Sequence, residues 1–366
     1  MKRVVVDINS VVPYYVNGWV SGIGRTTMEL VKAISMVKEP SVDVTLYSQN
    51  MKGIGVKNID VPLRKRHLYY PHRDKWNQLL AHTPAREWLT GYDLYHLPHN
   101  FDYVRHPERT VVTIHDALFF ACPDESFDHQ FAREHFPSLA KKCKAVITCS
   151  ESSKRDIIQY IDIPEEKVFV TPWGINHQLF YPNRQKKTGN PFFLMVSCKG
   201  KRKNAINVIR AYEKFVRHQP MHELVMVWPN TPQNILDYCS KEPLHSHVFF
   251  ETDVDDERLS RLYNEATATF FPSRYEGFGL PILESMACGT PVVTCRNSSL
   301  EEVGGKAALY VEPDDIDAME GYMERFEEGE YDNETISQKC VAQASRFSWQ
   351  RCAEQTLSVY QQCLNS

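Results

Sequence analysis

The stretch FPSRYEGFGLPILESMACGTPVV, residues 271–293, closes one strand, forms a loop and a helix, and opens the next strand. The apolar run ATATFFP (266–272) stops at Pro272, and SRYEGFG follows as a loop. Leu280-Pro281 opens the helix, because proline is tolerated in a first turn. The helix is predicted to reach about Cys288, with Gly289 as the residue just past its end. PVVTC (291–295) is then a second buried strand. Gly277 and Gly279 let a backbone approach a ligand closely. The free N–H groups and positive dipole of a helix start favour a diphosphate. Glu276 sits beside that start, and Glu284 lies two turns on, near the same face. Two such carboxylates can accept from vicinal hydroxyls, one pair on a hexose and one on a ribose. Spacing alone leaves a plainer reading open, in which Glu276 is a cap and Glu284 is solvated.

The same strand–helix–strand rhythm runs along the chain. Strands are predicted at 3–9, 42–48, 93–98, 110–116, 145–150 and 168–173, and again at 192–197, 223–228, 247–252, 266–272, 291–295 and 308–313. Amphipathic helical stretches lie between them, at 24–38, 152–161, 205–218 and 256–266. Continuous apolar strands alternating with helices imply parallel sheets covered on both faces. The polar, Pro- and Gly-containing segment FYPNRQKKTGNP (180–191) reads as a linker. The expected class is therefore α/β: two doubly wound, Rossmann-like domains, at 1–183 and 184–346, with an amphipathic segment at 347–366. Ligands of such sheets bind beyond the carboxyl ends of the strands.

Length and composition fit this division. A chain of 366 residues, 42% hydrophobic and 24% charged, suits two globular domains. No apolar run reaches the ~18 residues that span a bilayer. MKRVVVDINS carries Asp7 within its apolar stretch and reads as a first strand rather than a signal peptide. The ten cysteines form no C-x-x-C pair and no Cys/His zinc spacing, which fits a reducing cytoplasm and no structural metal. Residues 1–187 carry 25 Lys and Arg against 20 Asp and Glu, a net +5; the remainder carries 17 against 26, a net −9.

Two further segments carry charge to strand ends. In MVSCKGKRKNAIN (195–207), Lys199, Lys201, Arg202 and Lys203 share one loop between strand and helix. Cations fixed there would stabilise the charge developing on a leaving diphosphate; a solvated basic loop is the plainer alternative. His115 and Asp116 end TVVTIHD at an edge where ligands bind. Gly22-Ile23-Gly24-Arg25 stands ahead of a long helix, but Thr27 occupies the third glycine position of a dinucleotide fingerprint, so a nicotinamide cofactor is disfavoured. Ser150 is read as an N-cap.

Taken together, the motifs resemble those of the retaining GT-B glycosyltransferases of family 4, also described as glycosyl transferases group 1. E-G-F-G-x-P-x-x-E matches Glu276 to Glu284, A-x-G-x-P-V-V matches Ala287 to Val293, and R-K-N matches Arg202-Lys203-Asn204. The family's I-H-D and G-G-I-G-R segments match at His115-Asp116 and Gly22–Arg25. Ser197 in place of a glycine and Trp173 in a P-N-G-type turn depart from it. The resemblance implies that the two domains face each other across a cleft and that the C-terminal helix returns to the first domain. It implies that Glu276 and His115 face the donor sugar, that Glu284 binds the ribose, and that Lys203 binds phosphate with Arg202 and Lys199 or Lys201. Phe278, Gly279 and Leu280 would contact sugar and diphosphate through their backbone, and the Gly22 and Gly24 loop would close over the diphosphate. Asp116 would orient the loop or approach the acceptor.

The function so implied is hexosyl transfer with retention. The donor is a nucleotide diphosphate sugar, GDP-mannose among the candidates, and the acceptor a glycan or lipid-linked chain as in lipopolysaccharide or polysaccharide biosynthesis. No metal, other cofactor or nucleic acid takes part. The rivals are a nucleotide-sugar epimerase, a phosphorylase and a non-catalytic sugar-nucleotide binding protein. LRKRHLYYPHRDKW (63–76), basic with interleaved aromatics, is left open between an acceptor lining, sugar stacking, a peripheral contact with anionic lipid at the inner membrane face, and an ordinary solvated loop.

Overall fold

The computed structural model describes residues 1–18, 21–39, 41–122, 129–183 and 189–366. The chain divides into two compact units. One gathers Met1–Ala121, residues 129–174 and Ser348–Ser366; the other holds Ile175–Phe347. The divisions fall at 174–175 and 347–348, beside sequence-based bounds of 183–184 and 346–347. Part of the expected linker, 184–188, lies outside the described residues.

The first unit is a seven-stranded sheet in the order β3-β2-β1-β4-β5-β6-β7. Its strands are β1 (Lys2–Asp7), β2 (Val42–Gln49), β3 (Arg64–Leu68), β4 (Leu94–Leu97), β5 (Thr110–Thr113), β6 (Ala145–Thr148) and β7 (Val168–Val170). All pairings are parallel, with Val4 opposite Val44 on one side and Leu94 on the other. In β1, Val4 and Val6 join one apolar cluster and Val5 the other. That alternation is the two-residue period of a strand covered on both faces. Each such buried side chain contributes about 1.5–3 kcal/mol of transfer free energy.

Helix Gly22–Met36 lies on the Val4 face, and helix Trp349–Asn365 packs against it, burying Cys352, Ala353, Leu357 and Tyr360. The return of the chain is tight. A Cβ on Gly174 would stand 2.0 Å from the Trp349 amide nitrogen, so only glycine fits there.

The second unit is a six-stranded parallel sheet, β10-β9-β8-β11-β12-β13. Its strands are β8 (Phe192–Val196), β9 (Glu223–Val227), β10 (Val248–Glu251), β11 (Ala268–Phe271), β12 (Val292–Thr294) and β13 (Leu309–Tyr310). The order reverses between β8 and β11, which makes their carboxyl ends the switch point of the sheet. Both units are thus doubly wound α/β sheets, as expected.

Two local readings need correction. Residues 64–68 of the basic stretch form the edge strand β3, and the following segments form helices Asp74–Ala81 and Ala85–Thr90. Gly22 and Gly24 do not precede the first long helix but lie in its first turn, where the Ser21 hydroxyl caps the Gly24 amide at 3.0 Å. The cap supplies what a loop of glycines otherwise leaves unsatisfied. All ten cysteines are free thiols.

Candidate active site

The loops after β8 and β11 meet through one carboxylate oxygen. Lys201–Lys203 forms a single 3-10 turn, and Asn204 leaves it with left-handed backbone, φ 64°. Asn204 Nδ2 donates to the Pro272 carbonyl at 3.1 Å, tying this loop to the end of β11. Lys203 Nζ then lies 2.6 Å from Glu276 Oε1, and Arg202 Nη1 lies 2.8 Å from the same atom. The Ser273 hydroxyl donates to it at 2.7 Å. Lys203 also stands over the Phe271 ring, 5.0 Å from its centroid. Glu276 and Lys203 are both buried. Burial alone would raise the Glu276 carboxyl, but the charges of Lys203 and Arg202, with hydrogen bonds from Lys203 and Ser273, hold it below its ordinary value. Two cations against one carboxylate leave an excess positive charge at the switch point. Lys199 and Lys201, by contrast, are exposed in the loop.

Behind Glu276, a serine pair fixes the loop. The Glu276 amide donates to Ser298 Oγ at 3.0 Å, and Ser299 Oγ bridges the Glu276 and Phe278 carbonyls, 2.8 Å to each. Phe278 packs its ring on Phe347 at 5.7 Å. Gly279 turns the chain into helix Leu280–Ala287 with φ 107°, and a Cβ there would press to 3.0 Å from Leu300. Leu280 begins that helix, Pro281 sits in its first turn, and Gly289 follows it with φ 77°, as the sequence predicts. Glu284, on the same helix, is buried and accepts from the Tyr263 hydroxyl at 3.0 Å.

In the first unit, His115 follows β5 and is buried. Its Nε2–H faces the Pro98 carbonyl at 3.2 Å, and its amide donates to Asn100 Oδ1 at 3.1 Å. Nδ1 is a buried atom without a hydrogen-bond partner, so in the neutral ring it is an acceptor. The indole of Trp173 lies 5.4 Å from the imidazole, centroid to centroid. Burial pushes His115 down to about 4; the Pro98 carbonyl opposes this and His99 adds to it. Asp116 accepts from the Leu118 amide at 3.0 Å and so holds the turn after the strand. The ring borders a cavity of about 20 Å³ whose walls include Thr27, Thr113 and Trp173.

Sequence reasoning missed Ser273, Ser298, Ser299, Tyr263, His99 and Asn100. Serine hydroxyls that bind loop carbonyls have no spacing signal. His99 and Asn100 stand in plain view in HLPHN, directly after a predicted strand. A larger groove, about 610 Å³, is lined by Thr267, Pro291 and Ser337. It lies at the amino ends of β11 and β12, the edge opposite to that of Glu276. Among the described residues one trio, His218, Glu320 and Glu324, brings ligand-type atoms within 4.8 Å of one another. Glu320 in that trio already pairs with Lys214 at 2.9 Å.

Comparison with known proteins follows the same division of the chain. Residues 179–344 match the family described as glycosyl transferases group 1, and residues 20–179 match glycosyltransferase family 4. The O-antigen chain mannosyltransferase B of Escherichia coli is 26% identical over 374 residues, covering 93% of this chain and 96% of that one. Among solved structures, sucrose-phosphate synthase from Thermosynechococcus elongatus superposes with a TM-score of 0.76 at 19% identity, over 99% of each chain. Anabaena HepE, in complex with UDP-glucose, gives 0.71 at 16% identity, over 99% of this chain and 100% of its own.

Proposed function

The chain belongs to the group 1, family 4 glycosyltransferases of the GT-B fold, and from that premise we propose that it moves a hexose, mannose or a close relative, from a nucleotide diphosphate sugar to a glycan or lipid-linked acceptor, retaining the anomeric configuration and using no metal ion. The observation that carries this reading is the pair of cations on one oxygen of Glu276. With the start of helix Leu280–Ala287 beside them, they supply fixed positive charge where a pyrophosphate leaves. They act most strongly once the bond from the sugar to phosphate lengthens, which lowers the barrier rather than merely tightening binding.

In this reading, Arg202 and Lys203 take the diphosphate, with Lys199 as an exposed outer cation. Glu276 faces the donor sugar, Glu284 the ribose, and the Phe278-Gly279-Leu280 backbone the sugar and phosphates. In the first unit, His115 is assigned to the donor sugar, Gly22 and Gly24 to the diphosphate, and Asp116 to the acceptor side. The bond from C1 to the phosphate oxygen breaks as the bond from C1 to the acceptor oxygen forms on the same face. The acceptor proton passes to the departing phosphate oxygen. The mannosyltransferase relative supports mannose and an O-antigen-like glycan, whereas the Anabaena structure holds UDP-glucose. Ten free thiols support a cytoplasmic location.

The test is a panel of nucleotide sugars read by thermal shift and then by transfer to acceptor. The true donor at 100 times its Kd adds about 2.7 kcal/mol of stability. Transfer persists in excess EDTA. A pyridoxal phosphate absorbance in the purified protein, or loss of activity to EDTA, would replace the reading by a phosphorylase or a metal-dependent enzyme.

A further inference from the structure

The loop between β11 and helix Leu280–Ala287 has no regular structure, yet Ser273 and residues 275–279 are buried, with Arg274 exposed between them. A buried backbone without ladder partners must find its hydrogen bonds elsewhere. Three consecutive side chains supply them from one segment. Asn297, Ser298 and Ser299 stand between β12 and helix Leu300–Gly304. Asn297 Nδ2 donates to the Ser273 carbonyl at 3.1 Å, and the Ser273 hydroxyl in turn meets the Glu276 carboxylate. Ser298 Oγ accepts from the Glu276 amide at 3.0 Å and faces Asn297 Oδ1 at 3.4 Å. Ser299, fully buried, meets the Glu276 and Phe278 carbonyls. The triplet therefore grips the loop at Glu276 and on both sides of it. Ser298 does so with left-handed backbone, φ 45°. A residue with a Cβ keeps that conformation only where its surroundings hold it, and such strain collects where geometry serves function.

We infer that Asn297, Ser298 and Ser299 are positioning residues of the proposed reaction: they fix the backbone of 273–278 so that the Glu276 carboxylate stays where Lys203, Arg202 and the Ser273 hydroxyl meet it. The role rests on the reading in which Glu276 faces the donor sugar. None of the three has to touch the donor. Their effect passes through Glu276, whose carboxylate favours the transition state only from a held position.

The full-length protein is assayed for GDP release from GDP-mannose, and its backbone amides at 272–279 are followed by hydrogen exchange without donor. Ser298→Ala is expected to lower kcat about 10- to 100-fold, with KM for GDP-mannose changed by less than about twofold. Exchange at the Glu276 amide, which has lost its acceptor, rises about tenfold. In the Glu276→Ala background the same substitution changes kcat by less than about twofold, because the group it positions is gone. Asn297→Ala, which frees only the Ser273 carbonyl, carries the test if Ser298→Ala proves less stable. Unchanged exchange with unchanged kcat overturns the role. So does a loss of kcat that is just as large in the Glu276→Ala background, or a raised KM at full kcat, which would put Ser298 on the donor itself. A crippled Glu276→Ala beside a fully active Ser298→Ala sinks the positioning role alone; a near-normal Glu276→Ala sinks the reading of Glu276 on which it rests.

Discussion

The two sheets end in loops of opposite electrostatic character. In the second unit, a buried carboxylate stays ionised because Lys203 and Arg202 share its Oε1. In the first, a buried imidazole stays neutral because burial and the neighbouring His99 disfavour its charge. Both groups sit beyond carboxyl ends of parallel strands, so the sheet fixes only the place. What the place does is set by side chains the loops bring in. The ion-based edge suits a charged diphosphate; the neutral edge suits hydroxyls, to which Nδ1 of His115 offers an acceptor.

The contrast can be broken most severely at its centre. Glu276→Ala is expected to cut transfer about 10²–10³-fold and, by leaving the buried Lys203 without its carboxylate, to lower the melting temperature of the folded protein as well; near-normal turnover would remove Glu276 from the site. Lys203→Met should act on stability as well, costing about 3 kcal/mol in denaturant titration, because a buried carboxylate keeps only one of its two cations. Acid should destabilise both units, but in different pH windows. His96 and His115 are pushed down to about 3 and about 4, chiefly by burial. A histidine depressed in the folded state stabilises fully above the ordinary value of 6.5 and loses that contribution as pH falls toward the folded value. Each should therefore remove about 1.4 kcal/mol per pH unit below pH 6.5. Glu276 adds its own loss only below about its ordinary 4.5. Thermal melts in which the first unit holds constant stability from pH 6.5 to 5 would contradict this. The smallest effect is expected at Ser197, exposed with φ 56°. Ser197→Gly should gain up to about 1 kcal/mol by removing left-handed strain, with turnover unchanged.

The buried strands and their order of alternation with helices were legible because β-branched and aromatic runs at 3–9, 110–116 or 266–272 admit little else. Edge strand β3 was not. Its inward positions are Lys65 and His67, and they satisfy backbone rather than fill a core. Lys65 Nζ donates to the Ile59 carbonyl at 2.6 Å, and His67 lies 2.9 Å from Ser48 Oγ and 2.8 Å from the Asn50 carbonyl. A hydrophobic pattern cannot report such a strand, and the charges that hide it also guard the sheet edge. In the candidate site, Glu276, Lys203 and Gly279 were picked out by their match to the family's motifs. The hydroxyls of Ser298, Ser299 and Tyr263 were not, since any polar loop or helix face contains their like.

The glycine at 174, pressed against the amide of Trp349, has a consequence for the order of events in synthesis. Residues 348–366 leave the ribosome after the whole of 175–347, yet they pack on Val31 and Ile34 of helix Gly22–Met36, in a unit whose sheet is translated before 175. The first-made half is therefore finished last. Until then the part of its Val4-side core that the last helix covers lies bare to chaperones and to other nascent chains, while the later-made half, contiguous in sequence, closes its own core without waiting.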